Sequence, residues 1–215
     1  MIKCVLFDMD GVLVNTEPLH FDLWKKVFRE RDIDLEYDKY KGCIGSTNDF
    51  LMNLIYENYG LDFRGDPSLV MRFKEMKDEL IRQGGIPAVE GAPEIVRALH
   101  EKGYRLAVAS SSPQMYIDIC IKNLGVADCF ELLFSAERVP NPKPAPDVFL
   151  AVARHLGAAP EDCLVVEDSR NGSLAAKAAG MTCMGFANPD SGNQDLSAAD
   201  RIFYPFDQLM EVLGL

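Results

Sequence analysis

The chain has 215 residues, 48% of them hydrophobic and 26% charged, enough for one large domain or two modest ones at roughly 100 to 200 residues each. Its 33 acidic residues outnumber 22 basic ones for a net charge of −11, which argues against nucleic-acid or anionic-membrane partners, since both need a basic stripe. No apolar run approaches the roughly 18 residues that span a bilayer, and the opening MIKCVLFDMDG breaks its apolar stretch with aspartates instead of a signal-peptide cleavage site; a cytoplasmic protein is expected.

In chain order, residues 3–8 read as a buried strand: an apolar, β-branched run that stops abruptly at polar residues. From about 18 to 83 only helix signals follow. Apolar stripes run through Leu19, Leu23, Trp24, Val27 and Phe28, then Phe50, Leu51, Leu54 and Ile55, then Leu69, Val70, Phe73, Met76 and Leu80. Turn-rich segments bound this helical unit, at 15–18 on one side and at Gly84, Gly85, Ile86 and Pro87 on the other, where a hinge is expected.

Beyond it strands at 105–110, 131–135, 163–168 and 182–186 alternate with helices at 93–102, 146–156 and 170–179, two of which open on proline and all of which stop before glycine. Strand–helix alternation specifies an α/β fold with a parallel sheet covered on both faces. The organisation predicted is a core domain of residues 1–14 and 87–215 with an all-helical cap domain, 15–86, inserted after the first strand. Six cysteines stand singly with no paired spacing and read as small buried hydrophobes.

Open α/β sheets bind ligands beyond the carboxyl ends of their strands. The first strand ends in Asp8-Met9-Asp10-Gly11 and a later one in Glu167-Asp168-Ser169. Four converging anions repel one another unless a cation joins them, and a hard divalent ion such as magnesium takes carboxylates, waters and phosphate oxygens. Other strand ends offer Ser110-Ser111-Ser112 and, between prolines, Lys143. A carboxylate nucleophile, a second carboxyl acid, a metal, a hydroxyl and a lysine together describe phosphoryl transfer. Asp147, at the start of the helix after Lys143, reads as the anchor of the lysine loop.

DMDGVLVNTEPLH, AVASSS, NPKPAPDVF and VVEDSRNG, in this order and separation, resemble the four motifs of the haloacid dehalogenase superfamily, and the likeness covers the whole chain. It implies a Rossmann-like parallel sheet in the order 5-4-1-2-3. It also implies Asp8 as nucleophile and Asp10 as general acid and base. Ser110, Ser111 and Lys143 are implied as phosphate-binding residues, and Asp8, Asp10, Glu167 and Asp168 as ligands of Mg2+. A second aspartate and the acidic pair favour phosphoryl transfer over dehalogenation.

The helical cap stands where the branch containing β-phosphoglucomutase and many sugar phosphatases carries one. Thr16, His20 and Lys77 resemble that branch's cap residues, which implies a sugar-phosphate substrate, and with Asn48 they are the candidate substrate contacts. Those mutases carry a cap-loop arginine for a second phosphate, whereas Gly45-Ser46-Thr47-Asn48 stand here. The expectation is therefore a Mg-dependent phosphatase of a small phosphorylated metabolite acting through an aspartyl-phosphate, the alternative being a sugar-phosphate mutase. A monomer is expected, in the absence of a long exposed apolar stripe.

Overall fold

The computed structural model describes residues 2–44, 46–192 and 194–213; Gly45 of the cap-loop stretch lies outside the described residues. Strands β1 (Cys4–Phe7), β2 (Arg105–Ser110), β3 (Leu132–Ser135), β4 (Cys163–Glu167), β5 (Thr182–Phe186) and β6 (Arg201–Phe203) form one sheet in the order β3-β2-β1-β4-β5-β6. Every neighbouring pair is parallel. The five expected strands keep the expected order, and β6 extends the sheet by one short edge strand.

Successive side chains of a strand point to opposite faces, and two cores result. Val5, Phe7, Leu106, Val108, Leu164 and Val166 join one cluster, which α5 (Ala92–Glu101), α6 (Gln114–Asn123) and α9 (Asp207–Leu213) cover with residues such as Val96, Ile121 and Leu209. Cys4, Leu6, Ala107, Ala109, Cys163 and Val165 join the other, covered by α7 (Asp147–His155) and α8 (Arg170–Ala178) through Val148, Val152 and Ala175. Helix α6 follows the strand-to-helix turn at Ser110-Ser111-Ser112-Pro113 and buries Ile117 and Ile121, four apart and hence on one helical face.

Between β1 and α5 lies the helical insertion: α1 (Glu17–Arg29), α2 (Tyr37–Tyr40), α3 (Asn48–Tyr59) and α4 (Pro67–Arg82). Local chemistry fixes its ends. Thr47 Oγ1 accepts from the Phe50 N–H of α3 at 3.3 Å, Asp66 accepts from the Ser68 N–H of α4 at 2.8 Å, and Pro18 and Pro67 occupy first turns where no N–H is needed. Trp24, Val27, Phe28, Leu51, Met52, Ile55 and Leu69 make a third core. Phe50 corrects the expected stripe: it is 50% exposed, and Leu51 with Ile55 carries the inner face of α3.

The chain enters and leaves the insertion side by side. The Asn15 N–H donates to the Pro87 carbonyl at 2.9 Å and the Val89 N–H to the Leu13 carbonyl at 3.0 Å, with Val14 bridging Ala88 in antiparallel sense. Among the described residues no helix is long and apolar enough to cross a membrane. All six cysteines are free, five of them buried, and burial pushes their thiols up, to about 11 for Cys120 and Cys183 and about 12 for Cys163.

Candidate active site

The sheet register brings the chemistry together. Phe7 pairs with Val108 on one side and Val166 on the other, so Asp8 leaves β1 level with Glu167 at the end of β4. The Asp8 N–H donates to the Val166 carbonyl at 2.9 Å. The chain then turns back at once: the N–H groups of Leu13 and Val14 donate to the Met9 carbonyl at 2.8 and 3.0 Å. Gly11 makes this possible, with a φ of +78° and a face on which a Cβ would overlap the Asp168 carboxylate.

One cavity of about 560 Å³ lies over these strand ends, lined by Asp8, Asp10, Ser110, Ser111, Lys143, Glu167 and Asp168, and from the insertion by Thr16 and Lys77. Lys143 is the hub. Its ammonium donates to Asp8 Oδ1 at 2.6 Å, Glu167 Oε1 at 2.7 Å and the Ala109 carbonyl at 3.1 Å, and lies 4.9 Å from the Phe149 ring centroid. Asn141 Nδ2 donates to Asp147 Oδ1 at 3.0 Å, which ties the lysine loop to the start of α7.

Burial dominates the electrostatics. It pushes the Asp8 carboxyl up to about 7 even though the Lys143 ammonium opposes the shift, with the charges of Glu167 and Asp10 adding to it. Burial also holds Asp168 well above the usual carboxylate range, with Glu167 and Asp8 contributing. For Lys143 burial works against the charged form, yet Asp8 and Glu167 outweigh it and raise the ammonium above an ordinary lysine.

Three carboxylates, Asp8, Glu167 and Asp168, are thus buried together, with one buried ammonium that pairs with the first two. The donors are hard oxygens and the charge calls for a small dication, which suits magnesium. The side chains are not gathered as four ligands, however: among the described residues no three His, Cys, Asp or Glu side chains form a ligand cluster. Glu167 is held elsewhere, with Oε1 on Lys143 and Oε2 accepting from the Ser169 N–H and hydroxyl at 2.9 and 2.8 Å. The fit therefore rests on the buried carboxylates of Asp8 and Asp168, in keeping with magnesium's habit of taking one or two carboxylates and keeping its waters.

The other expected residues divide between two places. Ser110 is fully buried, its hydroxyl accepting from the Ser112 N–H at 3.0 Å, while Ser111 is exposed to the cavity. His20 and Asn48 line a separate pocket of about 200 Å³ in the insertion, with Trp24, Tyr40 and Thr47; Glu17 lines both pockets. His20 joins them, since Lys77 Nζ donates to its Nε2 at 3.0 Å and Glu17 Oε1 lies 3.5 Å from its Nδ1. An ammonium can only donate, so the ring proton sits on Nδ1 facing Glu17. Trp24 is core, stacked on Phe73 at 4.4 Å.

Two contacts escaped the sequence reading. Ser112 Oγ donates to Asp10 Oδ2 at 2.6 Å, and Ser191 Oγ donates to Asp168 Oδ2. The run of three serines at the end of β2 pointed to the first; no local signal points to the second.

Known proteins resemble this chain in sequence and fold. A family model described as haloacid dehalogenase-like hydrolase matches residues 2–180. Fructose-1-phosphate phosphatase YqaB of Escherichia coli is 32% identical over 82% of this chain and 92% of its own. Hexitol phosphatase B of the same organism is 30% identical over 89% of this chain and 86% of its own. The crystal structure of a HAD family hydrolase from Deinococcus radiodurans with bound phosphate and sodium superposes with a TM-score of 0.85 at 28% identity, covering 99% of this chain and 95% of that one.

Proposed function

The chain belongs to the haloacid dehalogenase-like hydrolases, and from that premise we propose that it is a magnesium-dependent phosphatase hydrolysing a sugar monophosphate through an aspartyl-phosphate on Asp8. The observation that carries the proposal is the buried Asp8 carboxylate, 2.6 Å from the Lys143 ammonium, in a cavity shared with Asp10 and Ser110. Relatives named for fructose 1-phosphate and hexitol phosphates support a phosphorylated small molecule with a polyhydroxyl tail.

In this proposal an oxygen of Asp8 attacks phosphorus as the ester P–O bond breaks, and Asp10 gives a proton to the leaving oxygen. Asp10 then takes a proton from the water that hydrolyses the acyl phosphate. Ser110, Ser111 and Lys143 hold the phosphoryl oxygens. Asp8, Asp168 and the Asp10 carbonyl would hold Mg2+, with Glu167 completing the negative charge around it; when bound, the ion neutralises charge on the transferring group. Residues 15–86 act as a cap that admits substrate and then excludes bulk water, with Thr16, His20, Asn48 and Lys77 facing the sugar. The enzyme works as a cytoplasmic monomer on a free metabolite.

The test is phosphorus NMR of the protein with Mg2+, β-glucose 1-phosphate and a trace of glucose 1,6-bisphosphate. Inorganic phosphate growing in supports the phosphatase. Conversion to glucose 6-phosphate without phosphate release makes the enzyme a mutase.

A further inference from the structure

A short segment after β5, beyond the residues matched by the family model, reaches three parts of the site at once. Asn188 and Ser191 are 7% and 5% exposed. Asn188 Nδ2 donates to the Gly11 carbonyl at 2.8 Å, while its Oδ1 accepts from the Asp190 N–H at 2.9 Å and its carbonyl accepts from the Ser191 N–H at 3.1 Å. That local turn aims the Ser191 hydroxyl at Asp168 Oδ2. Asn15 Nδ2, at the entrance to the helical insertion, donates to Asp190 Oδ2 at 2.6 Å.

The packing leaves little freedom. A Cβ on Gly11 would overlap the Asp168 carboxylate and lie 2.8 Å from Ser191 Oγ. The bare face of Gly11 therefore forms one wall of the carboxylate's seat, the Ser191 hydroxyl another, and Asn188 pins the wall in place. Ser191 also lines the main cavity, so its hydroxyl acts where the site is open to ligands.

A hydroxyl has a single proton to donate. By giving it to Oδ2, Ser191 fixes the rotation of the Asp168 carboxylate. No hydrogen bond among the described residues engages Oδ1. Partners of this kind orient metal ligands and set affinity without touching the ion. We propose that Ser191 is a positioning residue for divalent-cation binding, and that Asn188 supports it by fixing both the turn that carries Ser191 and the Gly11 carbonyl. The inference rests on the reading of Asp168 as a ligand of Mg2+.

The experiment is calorimetric titration of Mg2+ into metal-free wild type, Ser191→Ala and Ser191→Thr, beside the Mg2+ dependence of phosphate release. Ser191→Ala should weaken Mg2+ binding roughly 10- to 100-fold and raise by a like factor the Mg2+ concentration that half-saturates phosphate release; Ser191→Thr, which keeps the hydroxyl, should bind as wild type does. Should Ser191→Ala fail to fold, Ser191→Cys, close in size with a feebler donor, should show the same loss in lesser degree. A Ser191→Ala constant equal to wild type overturns the positioning role alone. Wild type that takes up no Mg2+ overturns the metal reading and the positioning role with it.

Discussion

The Ser112 hydroxyl donates to Asp10 Oδ2 at 2.6 Å, and the Ser135 hydroxyl in turn donates to the Ser112 carbonyl at 2.7 Å. Two serines at adjacent strand ends thus hold the side chain assigned as general acid and base. A hydrogen bond contributes about 0.5 to 1.5 kcal/mol, so Ser112→Ala should lower kcat roughly two- to tenfold and leave KM nearly unchanged. Steady-state kinetics on the best sugar phosphate reads the split; an unchanged kcat removes Ser112 from the machinery.

Asp8→Asn should abolish phosphate release, with kcat down by at least about a thousandfold, because an amide cannot serve as the nucleophile. Stability should move the other way. Burial makes the ionised Asp8 unfavourable, as its pKa of about 7 records, so at pH 8 without metal the variant should unfold at no lower temperature than wild type. Substantial turnover would sink the nucleophile assignment.

The same shift gives the metal-free protein a pH dependence of known sign. The folded state keeps the Asp8 proton up to about pH 7, whereas the unfolded chain releases it near the ordinary carboxylate value. Between those limits the folded state binds more protons, so stability falls as pH rises. Asp168 acts in the same direction. Exposed acids paired with arginine, such as Asp62 with a pKa of about 2, titrate below this window. Thermal unfolding in EDTA should therefore show a lower melting temperature at pH 8 than at pH 5.5, and Mg2+ should raise it more at pH 8.

Gly172→Ala should be destructive although it lies in a helix, where alanine ordinarily gains about 1 kcal/mol over glycine. A Cβ at Gly172 would overlap the Glu167 carboxylate, whose oxygens are already held by Lys143 and Ser169. Loss of both activity and thermal stability is expected. An alanine variant as stable as wild type would mean that Glu167 has room to move.

What the sequence revealed, and what it hid, follows from distance along the chain. Asp8, Ser110 and Glu167 were legible because each ends an apolar run, a signal contained within a few residues. The strand order came with the family resemblance. Edge strand β6 was not legible, since Arg201 and Ile202 are exposed and three residues carry no period. Phe50 misled because an apolar stripe gives a helix's period but not which flank of the stripe faces inward. The supports of the site were hidden for a stronger reason. Ser112 reaches a partner 102 positions away and Asn188 one 177 positions away, contacts that exist only once the sheet has assembled. The family resemblance implied Glu167 as a metal ligand, and no sequence feature announced that Lys143 and Ser169 would hold both of its oxygens.

The paired crossing at Asn15 and Pro87, 2.9 Å from N–H to carbonyl, means that the helical insertion hangs from the sheet by two strands of chain that meet at one point. Whatever lies between them is a closed loop, and closure cost grows only with the logarithm of loop length. Helices can be lengthened, replaced or lost there without changing the distance their ends must span. The inserted unit is thus exchangeable, while the strand ends that line the main cavity stay as they are.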